Sequence, residues 1–250
     1  MKLIVTGASG YVGREVIRQS LSRREITSVV AVARSPVTAP EKLDADADAS
    51  KLKSVVIEDY EHYSDEVKKE FADANACVWY GASSGPQPIS AAAETVAITP
   101  SRSKAYEFSE VKRICQTSTV NGLNAMQEAG PAKPFRFLYV SGAAAERDQT
   151  KTPSFSPQYS LMRGETENQV LALAKKHGME ASVVKPGYIT QPWDLTKIAM
   201  GCFVRVVAGI PSIYVADLAG VMLDQVVNGF DRDPLMPNDL AEIATRISKS

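Results

Sequence analysis

The sequence predicts a doubly wound α/β fold, a parallel sheet with helices on both faces. Three observations carry that expectation. Short continuous apolar runs recur along the chain, stretches of helical periodicity separate them, and a glycine-spaced turn joins the first run to the first helix. Apolar runs that do not alternate suit strands buried on both faces, and the intervening helices supply right-handed crossovers.

The elements follow in order. Leu3-Ile4-Val5 reads as a buried strand, and the helix after it places Val12, Val16, Ile17 and Leu21 on one side. The second strand is Ser28–Ala33 and the third Ser54–Ile57, both β-branched. An amphipathic stretch over Asp65–Phe71 precedes the fourth, Ala76–Tyr80. A long helix with Val111, Ile114, Val120, Leu123 and Met126 as its stripe ends near Gly130-Pro131. Phe135–Val140 is the fifth strand. The helix over Tyr159–Lys176 then stops at His177-Gly178, a basic last turn followed by glycine. Ala181–Val184 is the sixth strand. Residues 1–190 are therefore assigned to the sheet domain. From 191 to 250 the rhythm weakens, and Pro192, Trp193, Met200, Phe203, Ile210 and Tyr214 suggest a small apolar cap packed on it. Residues 83–103 and 143–157 are polar or proline-punctuated. Both follow strand C-termini, where open α/β sheets bind ligands, so both are lid candidates.

Composition narrows the function. With 44% hydrophobic and 23% charged residues the chain can fold around a core, which excludes extended disorder. Lys and Arg total 28 against 29 Asp and Glu, so nothing draws the chain to a nucleic-acid backbone or an anionic membrane. Cys77, Cys115 and Cys202 form no CxxC pair, which argues against a disulfide framework or a zinc knuckle and fits a reducing compartment. Met1-Lys2 leads straight into the first strand without a signal-peptide pattern. The apolar stretch Ile198–Ile213 is too short and too interrupted to span a bilayer. A cytoplasmic protein is expected.

Thr6-Gly7-Ala8-Ser9-Gly10-Tyr11-Val12-Gly13 sits between the first strand and helix, with glycines at every third position. Gly7 permits the tight turn, Gly10 lets the backbone approach a pyrophosphate, and Gly13 allows close helix packing. Gly7, Ser9, Gly10, Tyr11, Val12 and Gly13 are the candidate contacts, the helix N-terminus facing the anion. A glycine-rich turn without a ligand is the competing assignment. After the second strand comes Ala33-Arg34-Ser35, with no acid until Glu41. An acid there would bind a ribose 2′-hydroxyl, whereas a guanidinium suits a 2′-phosphate. The site thus favours NADP over NAD, unless Arg34 is only a solvated loop residue. Asp59 is a candidate contact to the adenine edge, or an exposed loop acid.

The Thr6–Gly13 loop, the run Cys77-Val78-Trp79-Tyr80-Gly81-Ala82, the turn Tyr139-Val140-Ser141-Gly142 and Lys185-Pro186-Gly187 occur in this order. Together they resemble the atypical short-chain dehydrogenase/reductases, the NAD(P)-binding, epimerase-like group. Within it the chain is similar to the averufin-oxidase-like proteins of fungal aromatic polyketide pathways. The resemblance implies a Rossmann domain, with Gly81, Ala82 and Pro186 also lining the cofactor. It further implies an acid–base tyrosine, a serine that orients the substrate oxygen, and a lysine four residues after the tyrosine. Ser141 and Tyr159 match, but Arg163 stands in the lysine's place. A cation one turn from Tyr159 favours phenolate, yet a guanidinium cannot shuttle protons. The competing assignment leaves Tyr159 exposed and Arg163 on the surface.

His62 and His177 sit in no metal or nucleophile pattern, and Ser141 lacks a nucleophile elbow. The leading expectation is an NADP-dependent oxidoreductase acting on a carbonyl or activated ring carbon of an aromatic or polyketide-like small molecule, as a monomer or homodimer. A redox-neutral epimerase, isomerase or ring-rearranging enzyme is the second reading, and a non-catalytic NADP-binding sensor or scaffold the third.

Overall fold

The computed structural model describes residues 1–80, 103–190 and 211–249. The first half builds β1 (Lys2–Thr6), α1 (Tyr11–Ser22), β2 (Ser28–Ala33), β3 (Leu52–Val56), α2 (Asp65–Phe71) and β4 (Ala76–Tyr80). Further along come α3 (Phe108–Lys112), a π-helical turn (Arg113–Thr117), α4 (Ser118–Glu128), β5 (Arg136–Val140), α5 (Pro157–Lys176) and β6 (Glu180–Val184). Short strands β7 (Tyr188–Thr190) and β8 (Ser212–Tyr214) precede α6 (Val215–Asn228) and α7 (Pro237–Ile247).

The main sheet has six strands in the order β3-β2-β1-β4-β5-β6, every pair parallel. This is the doubly wound architecture that the alternation of strands and helices requires. The order reverses between β1 and β4, so a crevice opens there at the C-terminal edge. Successive side chains on a strand point to opposite faces, and β1 divides accordingly. Leu3 and Val5 join a core with Val12, Val16, Ile17 and Leu21 of α1 and Leu218, Met222 and Val226 of α6. Ile4 joins the opposite core with Phe71, Trp79, Leu123, Met126 and Phe137. Gly122 admits the Trp79 ring against α4, and Trp79 Nε1 donates to Thr119 Oγ1 at 3.0 Å.

Two expectations need adjustment. The third strand starts two residues earlier than the β-branched run, because Leu52 and Lys53 pair with Val29 and Val30 despite their mixed polarity. The long helix is interrupted by the π-helical turn, which buries Ile114, Cys115 and Gln116 together. Residues 191–210 lie outside the described residues, and the rest of the expected cap region packs on the sheet domain. Helix α6 closes one face of the sheet, buried along Leu218, Ala219, Val221, Met222 and Leu223. The segment before α7 covers the β6 edge: Leu235 N donates to Val183 O at 2.8 Å and Lys185 N to Leu235 O at 2.9 Å. No helix among the described residues is long and apolar enough to cross a membrane.

Candidate functional site

The glycine loop leaves β1 at the crevice. Gly7 has φ of +61°, a left-handed conformation open to glycine without steric cost. Gly10 N donates to Gly7 O at 2.9 Å, closing the turn. Gly10 then caps α1 with no side-chain hydrogen bond, and the first helical bond runs from Arg14 N to Gly10 O. The N–H groups of Tyr11, Val12 and Gly13 precede that bond and lie at the positive end of the helix. A Cβ on Gly13 would fall 2.9 Å from Ala8 Cα and closer still to Gly7 O, so only hydrogen fits between helix and loop. An uncapped helix start over a glycine-spaced loop fits a pyrophosphate. The rim is braced by Arg14 Nε donating to Ser9 O at 3.0 Å and Tyr11 Oη to Thr190 O at 3.0 Å.

Tyr60 is a brace that sequence reasoning missed. Its buried hydroxyl donates to Val32 O at 3.2 Å and lies beside the Gly7 N–H, while its ring stands edge-on to Trp79. Burial pushes it up to about 12 against the opposing effects of that N–H and Arg34, so it stays a neutral donor. Arg34 is exposed just past β2, and among the described residues it makes no hydrogen bond or ion pair. Asp59 is engaged locally: Oδ1 accepts from Glu61 N at 2.7 Å and His62 N at 2.9 Å, and Oδ2 faces His62 Nδ1 at 3.4 Å. Partial burial works to raise its pKa, but these donors hold it below the ordinary carboxylate value. The carboxylate shapes the turn first, and any adenine contact would have to share it. Gly81 and Ala82 lie outside the described residues.

Tyr80 connects the loop to the second cluster. Its backbone pairs with Thr6 Oγ1 in both directions at 3.1 Å, and its ring packs on Gly7. Its phenol is pushed up to about 12 by burial, with Arg163 pulling down and Tyr159 adding to the rise. Arg163 is only 4% exposed, which rules out the surface assignment. Its Nη2 donates to Val140 O at 3.0 Å, one residue before Ser141, and its guanidinium lies 5.1 Å over the Tyr139 ring. It also acts on the Cys115 thiol, delivered by the π-helical turn, and pulls its pKa down against burial. Burial disfavours its charge, but Tyr139, Tyr159, Cys115 and Glu167 more than restore it. Tyr159 packs in the first turn of α5 against the cluster of Val111, Ile114, Cys115 and Met162, largely shielded from solvent. Burial raises its pKa, Arg163 pulls it back and Cys115 raises it again. The net lies above the ordinary phenol, so the expected bias toward phenolate is reversed. Ser141 N continues the ladder to Val184 O at 2.8 Å, and its Oγ is buried without a partner among the described residues.

A buried ionic cluster beneath this site was also missed. Glu167, fully buried, accepts Lys185 Nζ at 3.0 Å and Arg147 Nε at 2.7 Å on one oxygen. Arg147 continues to Asp233 at 2.7 Å, and Lys185 Nζ also donates to Ala145 O at 2.8 Å. Pro186 follows, buried beside them. This cluster corrects the lid expectation for 143–157. Glu146 N donates to Ser160 O at 3.0 Å, Asn168 Nδ2 to Arg147 O at 3.0 Å and Gln149 Nε2 to Leu161 O at 3.1 Å. A Cβ on Gly164 would lie 2.7 Å from Arg147 N and closer still to Glu146 O. The segment over 145–149 is fastened to α5. The other lid candidate, 83–103, falls almost wholly outside the described residues.

Solved structures share the fold. The UDP-glucose 4-epimerase of Thermotoga maritima superposes with a TM-score of 0.62 at 14% identity, covering 100% of this chain and 83% of its own. A dTDP-glucose 4,6-dehydratase double mutant from Streptomyces venezuelae, bound to NAD and DAU, gives 0.64 at 15% identity, with 98% and 80% covered. Vestitone reductase from alfalfa gives 0.59 at 16%, with 93% and 75% covered. At these identities the likeness shows the fold. No curated protein matches the chain by sequence. A family model described as NAD(P)H-binding matches residues 7–228, from the first loop glycine to the end of α6, and the chain belongs to that NAD(P)H-binding family.

Proposed function

We propose that the chain is an NADP-dependent oxidoreductase of the short-chain dehydrogenase/reductase type, acting on a carbonyl or activated ring carbon of an aromatic or polyketide-like small molecule. The observation that carries the reading is the Tyr159–Arg163 pair, an un-ionised phenol one helical turn from a buried guanidinium. NADPH, when bound, supplies the hydride. Tyr159 gives its proton to the substrate oxygen as negative charge develops there, and Arg163 stabilises the phenolate left behind. Ser141 Oγ orients that oxygen. Gly7, Ser9, Gly10, Tyr11, Val12 and Gly13 hold the pyrophosphate, Arg34 the 2′-phosphate and Asp59 the adenine edge, with Gly81, Ala82 and Pro186 along the nicotinamide side. The resemblance to the averufin-oxidase-like proteins supports an aromatic polyketide substrate in secondary metabolism. The enzyme then works in the cytoplasm, on a small molecule, as a monomer or homodimer.

Fluorescence titration with NADPH and NADH tests the cofactor half. Wild-type protein should prefer NADPH, and Arg34→Ala should lose that preference by roughly tenfold or more, the worth of a charge-assisted phosphate contact. Equal affinities in the wild type would refute the role of Arg34. For the chemistry, Tyr159→Phe should lower turnover by about a hundredfold or more. The assay substrate is the intermediate that accumulates when the gene is deleted. Full activity in that variant would end the assignment of Tyr159.

A redox-neutral epimerase or isomerase is the second reading, favoured by Arg163 itself. A cation that keeps its proton suits the stabilisation of an enolate or phenolate. Product formed without loss of NADPH absorbance would select it.

A further inference from the structure

Four buried side-chain atoms without a hydrogen-bond partner among the described residues share one seam. They are Tyr139 Oη, Ser141 Oγ, Arg163 Nε and Glu167 Oε1. The covalent geometry explains why they meet. Residues 139 and 141 stand two apart in extended chain and so point to one side of the sheet. Residues 159, 163 and 167 stand four apart on α5 and so share one helix face. The guanidinium of Arg163 over the Tyr139 ring joins the two rows directly. Tyr139 and Glu167 are 0% exposed, Arg163 4% and Ser141 9%. Burying one such atom unpaired is costly, and four in one seam are satisfied most simply by water, which takes two to four polar partners. Glu167 leads outward, since its other oxygen binds Arg147, whose side chain is 26% exposed.

We infer that the seam between β5 and α5 holds internal water, and that this water links Tyr159 to solvent past Arg163, Tyr139 and Glu167. The consequence for catalysis rests on the proposed role of Tyr159. Arg163 cannot release a proton, so the phenolate left after each turnover must be refilled by another route. Along the seam each water or hydroxyl accepts one proton and passes one on. One proton thus travels from bulk solvent to Tyr159, and the charge on Arg163 never changes. Glu167, whose other oxygen is held by Arg147 and Lys185, stands at the outer end of the seam.

A high-resolution crystal structure of the protein with NADPH should show ordered water bonded to at least two of the four atoms. The variant Tyr139→Phe gives an independent sign. A hydroxyl bridged by water stabilises the fold, so its removal should lower the melting temperature, whereas removing a dry, unpaired hydroxyl should raise it. The Nε–H of Arg163, followed by nitrogen-15 NMR, should exchange with solvent faster than the amides of β5, and Glu167→Gln should slow it. A dry seam, a raised melting temperature in Tyr139→Phe and an Nε–H as protected as the β5 amides would overturn the inference. Should Tyr159→Phe remain fully active while the water is present, the role of Tyr159 fails and the hydrated seam stands.

Discussion

Gly13→Ala probes the proposed cofactor cradle without touching a charged group or a proposed catalytic one. The added methyl would sit 2.9 Å from both Ala8 Cα and Gly7 C, and nearer still to Gly7 O. Ordinary carbon contacts begin near about 3.5 Å. All three neighbours are backbone, so no side chain can turn aside, and loop and helix must separate by more than half an ångström. Overpacking of this kind costs about 1–3 kcal/mol. If that strain falls on the conformation that binds the pyrophosphate, NADPH affinity drops by about 5- to 150-fold. The assay is NADPH fluorescence titration beside a thermal melt. Gly220→Ala is the control: it lies in α6, where the added methyl would meet only Gln19 Oε1 at 3.5 Å. It should gain about 0.5–1 kcal/mol of stability from helix propensity and bind NADPH unchanged. A Gly13→Ala protein that binds NADPH like the wild type would refute the reasoning, since the cradle could not then depend on that contact.

Two further outcomes follow from the ionic groups. Lys185→Met leaves Glu167 facing Arg147 alone, and breaking a buried pair in this way should cost about 3–5 kcal/mol in a denaturant melt, most of it recovered when Glu167→Leu is added. Loss of stability by less than about 1 kcal/mol would mean the pair is effectively solvated. Asp48, Glu110 and Glu146 are held below their ordinary pKa values, by Ser50, by Arg113 and by the Asp148 N–H with Lys151. Depressed carboxylates contribute stability above their unfolded pKa and lose it as pH falls through the folded one. The melting temperature should therefore fall steadily below about pH 4. A flat profile down to about pH 3 would show that these contacts contribute nothing.

What the sequence made legible was whatever its local period encodes. Strand runs such as Ser28–Ala33 and the glycine loop are written in consecutive residues, and the structure places them as that pattern implies. Long-range partners are not written that way. Glu167 lies between Thr166 and Asn168 in a helix with acids and amides around it and reads as solvated. Only the arrival of Lys185 from just past β6 and Arg147 from the loop after β5 makes it a buried charge. Tyr60 likewise stands in no local pattern, and only the fold brings its hydroxyl to Val32 O and beside Gly7 across the top of β2. The π-helical turn escaped because its apolar residues fit an α-helical stripe well enough, although it sets the position of Cys115 beside Arg163.

The placement of α6 has a bearing on synthesis. Leu3 and Val5 of the first strand share their core with Leu218, Val221 and Met222, more than two hundred residues later. While the ribosome is still making the middle of the chain, that side of the sheet has no cover, and its apolar strands are open to chaperones or to neighbouring nascent chains. The glycine loop sits at the end of the same strand, so a competent cradle must wait for the last quarter of translation. Nascent chains arrested before α6 emerges should bind holdase chaperones and retain no NADPH, and release should follow once that helix clears the exit tunnel.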